Sequence, residues 1–213
     1  MRKQATPFSQ KLNNMKNKGL WITLAIVVLL VIVLYSSFKT TYNQMVTLSE
    51  DVDVSWSQVV TDYQRRMDLI PNLVSTVQGY ADFEKQTLTD VIQARANATS
   101  VKLDVDNLDA GSLQKIEQAQ GALSSALSRL LVTVEKYPDL KANQNFRDLQ
   151  AQLEGTENRI ANARRKFNES TRSYNVYIKQ FPKNIYAGIF NFDEKPYFEA
   201  AAGAEKAPEV KFN

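Results

Sequence analysis

A run of twenty residues at positions 19–38, between Lys18 and Lys39, carries no charge. From 22 to 34 nearly every position is Ile, Val or Leu. At about 1.5 Å of rise per residue the run would extend about 30 Å as a helix, the thickness of a bilayer's hydrocarbon core. Trp21 and Tyr35 stand near its two ends, where amphipathic rings favour the headgroup layer. A cleaved signal peptide has a shorter apolar region and a small-x-small exit, and Tyr35-Ser36-Ser37-Phe38-Lys39 is a poor cleavage site. A buried core helix would show a polar face, and none appears over five turns. The pattern predicts a transmembrane helix over 19–38, anchored by Trp21, Ile22, Leu29, Leu34 and Tyr35.

Beyond Lys39 the apolar positions recur at spacings of three and four. One seam reads Tyr42, Met45, Ser49, Val52, Trp56, Val59, Tyr63, Arg66, Ile70, close to a heptad repeat. No Pro or Gly separates it from the apolar run, so the spacing predicts one helix leaving the membrane. The residue before a proline is biased away from helix, which places a break near Ile70 and opens a second helix at Pro71. That second helix carries Leu73, Val74, Val77, Leu88, Val91 and Ile92 and ends near Ala98. Residues 99–111 lack a durable period and read as a loop. Ser112 can cap a third helix with Leu113, Ile116, Leu123, Leu127 and Val134. After Tyr137-Pro138-Asp139-Leu140 a fourth helix starts near Ala142 or Asn143. Its seam is Phe146, Leu149, Leu153, Thr156, Ile160, Ala163, Phe167, Tyr174, Tyr177, Phe181, and Pro182 stops it.

The expected fold is therefore all-α: an N-terminal transmembrane helix continuing into an elongated antiparallel four-helix bundle, with an irregular aromatic C-terminal tail. The divisions are a basic tail at 1–18, the membrane helix at 19–38, the bundle at 39–182 and the C-terminal tail at 183–213. The last segment mixes Ile185, Tyr186, Ile189, Phe190, Phe192, Tyr197, Phe198 and Phe212 with Gly and Pro. Alone it would bury too little to stay ordered, so its rings should dock on its own bundle, a neighbouring copy or a partner.

Charge gives the anchor a direction. Net charge is +3, but the first 18 residues carry +5 (Arg2, Lys3, Lys11, Lys16, Lys18) and the remainder −2. The positive-inside rule puts the N-terminus in the cytoplasm and the bundle in the periplasm or outside the cell. The basic tail could also hold anionic lipid. The bundle has no basic excess that would suggest nucleic acid.

The chain has no Cys and no His. That removes disulfides, Cys- or His-ligated metals, a His base and a Cys nucleophile. There is no phosphate-cradling glycine loop, nucleophile elbow or dinucleotide fingerprint, so no cofactor is expected. A hydrolase would need Ser/Lys or carboxylate chemistry, for which no constellation is evident.

Several stretches resemble the LemA family. They are Arg65-Arg66-Met67-Asp68-Leu69-Ile70-Pro71-Asn72-Leu73-Val74, Val77-Gln78-Gly79-Tyr80-Ala81, Ala94-Arg95-Ala96 and Tyr137-Pro138-Asp139-Leu140-Lys141-Ala142. Leu149-Gln150-Ala151-Gln152-Leu153-Glu154, Ala163-Arg164, the steps Phe167-Asn168 and Tyr174-Asn175, and the ending Pro208-Glu209-Val210-Lys211-Phe212 continue it. The resemblance covers roughly 42–212. It implies a bacterial protein with an N-terminal membrane helix and a long-helix bundle, and it carries no enzymatic activity to transfer.

Two groups of residues are candidates for more than packing. Arg66, Asp68, Glu84, Arg95, Glu154, Glu157, Arg164, Asn168 and Asn175 could form a polar cluster that binds a ligand, or ion pairs and amide bonds that fix helix register. The Leu69-Ile70-Pro71-Asn72-Leu73 corner could be a recognition tip about 45 Å from the bilayer, or a simple helix-to-helix corner. The leading functional expectation is a non-enzymatic, membrane-anchored scaffold of the bacterial envelope that self-associates into a homo-oligomer. The alternative is a tethered sensor that binds a ligand or partner and signals through another membrane protein.

Overall fold

A computed structural model describes residues 7–80, 83–103 and 108–199, and for residues 7–19 the backbone alone. The Ala-rich run at 200–204, Phe212 and the 208–212 motif lie outside the described residues. So do Arg2 and Lys3 of the basic tail.

Helix α1 spans Pro7–Gln78 without interruption, 72 residues in all. It carries the whole apolar run and then the seam. Among the described residues it is the one helix long and apolar enough to cross a membrane, and none of its most apolar window is buried. The large apolar side chains of that window stand exposed, Trp21 and Leu29 at 68% and 65%. Burial begins at Thr41, and Met45, Val52, Trp56, Val59, Tyr63 and Ile70 follow it into the core.

The predicted break at Ile70 is corrected. Pro71 lies inside α1, and the helix runs two further turns to Gln78. The seam explains why: Ile70, Leu73 and Val77 keep the same three-four spacing across the proline, and all three are fully buried. A break would have thrown this stripe out of register. The reversal comes instead at the turn that follows Gly79, and α2 covers Lys85–Ser100.

Helix α3 covers Ala110–Val134, one turn's fraction earlier than expected. Asp109 is its N-cap, accepting from the Ser112 amide at 2.6 Å, while the Ser112 hydroxyl accepts from the Asp109 amide at 2.9 Å. This reciprocal box satisfies two orphan donors at once. Ser112 is thus the third helical residue rather than the cap. A short α4, Pro138–Ala142, turns the chain. Asn143 caps α5, Gln144–Lys179, within two residues of the expected start near Ala142 or Asn143.

The four long elements run up, down, up and down. α1 packs mainly against α5, and α2 against α3. Far from the apolar run, Phe83 meets Tyr137 with ring centroids 5.0 Å apart, and Asn143 donates to the Tyr80 hydroxyl at 3.1 Å. These contacts close the distal end.

The C-terminal segment is more regular than its composition suggests. Lys183–Phe190 forms α6, which ends at Asn191 with a left-handed φ of 57°. Asn tolerates that conformation better than most residues. The chain then climbs in extended form along its own bundle to Glu199. The tail therefore docks in cis, as far as it is described.

Candidate functional site

The polar candidates do not converge on one place. They fall into three arrangements, the first and third touching at Arg164, plus a set of surface residues.

The first surrounds Arg66, which is 1% exposed in the middle of the bundle. Its Nη1 donates to Ser124 Oγ at 2.8 Å and to Glu157 Oε1 at 2.6 Å, and its Nη2 donates to Gln120 Oε1. Three helices thus meet on one guanidinium. A planar fork suits this, because each donor has a fixed direction. Buried Asp62 adds a second tie, 3.9 Å from Arg159. Tyr63 lies beneath Arg66, and burial pushes its phenol above the ordinary value against the pull of Arg164 and Arg66. Nearer the anchor, Arg164 pairs with Glu117 of α3. Burial raises the Glu117 carboxyl, and Arg164 opposes that.

The second arrangement joins Pro71 and Arg95. A proline at position 71 has no N–H to give the Met67 carbonyl four residues back. Arg95 on α2 replaces it: its Nε donates to Met67 O at 2.9 Å. The two candidates are therefore one device. Arg95 satisfies the acceptor that Pro71 leaves without its helical partner.

The third arrangement holds the tail. Asn168 donates through Nδ2 to Phe198 O at 2.9 Å and accepts from the Phe198 amide at 2.9 Å. Asn175 does the same with Lys195, at 2.8 Å and 3.0 Å. Each side-chain amide pairs with one residue of the extended segment as a neighbouring strand would. The geometry fits, since seven residues of helix rise about 10.5 Å and three of extended chain about 10 Å. Tyr174 OH donates to Asp193 O at 2.9 Å. Its phenol is pushed up to about 12, by burial first and then by Asp193 and Asp53. Lys195 pairs with Asp53 at 2.6 Å. Phe198 fills the space between Trp56 and Phe167, with Arg164 4.4 Å from its ring centroid.

Asp68, Asn72 and Glu154 are exposed. Asp68 and Asn72 line a shallow open groove with Arg65 and Gln152. Glu154 accepts from Gln150 on its own helix at 3.0 Å. Sequence reasoning missed Gln120, Ser124 and Lys195, whose roles depend on partners far along the chain. It also treated Tyr174 as plain core, although a polar tip on a buried seam position was available as a signal. Among the described residues no cluster of acidic side chains could hold a metal ion.

The bonds found are those of a bundle that fixes its own register and pins its own tail. Comparison with known proteins agrees with the sequence motifs. The sequence model of the LemA family matches residues 55–212. The magnetosome protein MamQ of Magnetospirillum gryphiswaldense is 28% identical over 200 residues, covering 85% of this chain and 74% of the relative. Magnetosome protein MamQ 2 of Paramagnetospirillum magneticum is 27% identical over 193 residues, 83% of this chain and 71% of that one. Protein LemA of Metamycoplasma hominis is 24% identical over 160 residues, 75% and 69% of the two chains.

Proposed function

This chain belongs to the LemA family, and from that premise we propose that it is a non-enzymatic scaffold of the bacterial envelope, a rigid helical post rooted in the membrane that works by associating with copies of itself. The observation that carries this reading is the continuity of α1. One helix holds both the apolar run and a core seam from Met45 to Val77, with no hinge between them. A module that must search for a ligand gains from a flexible tether. A post gains from a rigid root, because neighbouring copies then stand parallel and present the same faces.

The relatives are bacterial proteins, which supports the setting. The charge asymmetry about the apolar run supports a cytoplasmic N-terminus, with the bundle on the other side. The tail is committed to its own bundle through Glu199, so association falls to the outer helix faces and the membrane helices. The test is the mass of the intact particle after gentle extraction. A large homo-oligomer is expected. A monomer that persists across mild detergents and in lipid nanodiscs would refute self-association.

A further inference from the structure

Helix α6 presents an apolar stripe that the bundle leaves uncovered. Ile185 and Ile189, four residues apart on α6, are 51% and 63% exposed, and Phe181 in the turn just before the helix is 81% exposed. The opposite face is spent on the protein. Ala187 is buried, and Tyr186 and Phe190 pack on Phe38 with ring centroids 5.3 and 5.4 Å away. Phe38 is the last residue of the uncharged run. If that run fills the hydrocarbon core, Phe38 marks the core's edge, and whatever touches it sits in the headgroup layer.

We propose that α6 is a second membrane contact, a short helix lying in the headgroup layer of the bilayer beside the transmembrane root. Its composition suits that place: an aliphatic outer face, Lys183 at its start, and no Asp or Glu within Lys183–Phe190. Tyr186, Phe190 and Tyr42 supply the ring layer that membrane interfaces favour, with Tyr42 and Phe190 5.0 Å apart. A second copy of the chain could also cover an exposed stripe. The bilayer is the occupant the position favours, because α6 touches the end of the span itself.

The inference rests on reading 19–38 as a membrane span, and the experiment separates the two. The chain has no cysteine, so single sites can be introduced and labelled with the environment-sensitive dye NBD. The sites are Ile185→Cys, Ile189→Cys, Leu29→Cys in the span, and Val54→Cys, which is 68% exposed about 24 Å above Phe38. Each variant of the full chain is reconstituted into phosphatidylcholine–phosphatidylglycerol vesicles carrying spin labels at the headgroup or deep in the acyl chain. At Ile185 and Ile189 the emission should shift to the blue and lose most intensity to headgroup labels. At Leu29 the deep labels should quench most, and at Val54 neither should. Water-like, unquenched emission at both α6 sites, with Leu29 quenched, would overturn the interfacial placement alone. An unquenched Leu29 site would overturn the span. Blue-shifted α6 emission that no lipid label quenches, and that changes with protein density, would assign the stripe to a second copy instead.

Discussion

Asn168 and Asn175 each give both halves of a side-chain amide to one residue of the tail, and this makes them sensitive to a change of a single atom. Asp in either place keeps the acceptor and loses the donor, setting a carboxylate against a backbone carbonyl. The pair Asn168→Asp and Asn175→Asp should release residues 191–199 while leaving helix content unchanged. Limited proteolysis between Asp193 and Glu199 would then accelerate strongly, and an unchanged cleavage rate would contradict the pinning role. Tyr174 adds a pH dependence. Its phenol rises from 10.0 to about 12 when folded, so the docked state holds that proton more tightly than the unfolded chain does. The stabilisation is complete below pH 10 and disappears as pH climbs through about 12. Ultraviolet titration should show late ionisation at both buried tyrosines, Tyr63 and Tyr174, and the Tyr174 part of that signal should vanish in Tyr174→Phe. Arg66 tests the central layer. Truncation to Ala strands buried Gln120 and empties the space of a fully buried side chain, and should cost about 3 kcal/mol in denaturant unfolding. Arg66→Met, which fills the space without a charge, should cost clearly less.

At the scale of elements the instructive case is α1. An interior proline costs about 3 kcal/mol or more, part of it the unpaired carbonyl. Arg95 removes that part by donating to Met67 O. Arg95→Ala should therefore cost about 1–2 kcal/mol in the native background. It should cost much less beside Pro71→Ala, where the residue 71 amide reclaims Met67. A double-mutant cycle by chemical denaturation measures the difference, and additive effects would sink the coupling. The error about Pro71 shows what sequence pattern could and could not reveal. The bias of Ile70 away from helix is local and pointed to a break. The stripe Arg66, Ile70, Leu73, Val77 crosses the proline in phase and pointed to continuity. What decides between them is a donor on another helix, 24 residues after Pro71, and periodicity carries no record of it. Helix α6 was hidden for a similar reason: eight residues is too short for a period to stand out, and its order depends on rings at Phe38 and Tyr42.

At the scale of the molecule the architecture was legible, because long amphipathic stripes are strong signals. The apolar run and the α5 seam from Phe146 to Tyr174 stand where the pattern placed them, and α5 starts within two residues of the expected Ala142 or Asn143; Phe181, expected to end that seam, instead lies beyond the helix and is 81% exposed. The candidate residues were legible as polar positions on or beside apolar seams but could not be sorted from the pattern. Polar residues on a seam announce that they need partners without naming them, so one imagined cluster resolved into a register layer, a proline repair and a tail clamp. The unbroken α1 has one further consequence. From Phe38 to Val77 it forms an arm of about 58 Å, and membrane helices commonly lean by about 20° to match bilayer thickness. Such a lean would sweep the far end of the arm sideways by about 20 Å. The protein is in this sense a lever whose short end is gripped by lipid, so a thickness change of a few ångströms would be magnified at the tip, with α6 as the outrigger that resists it.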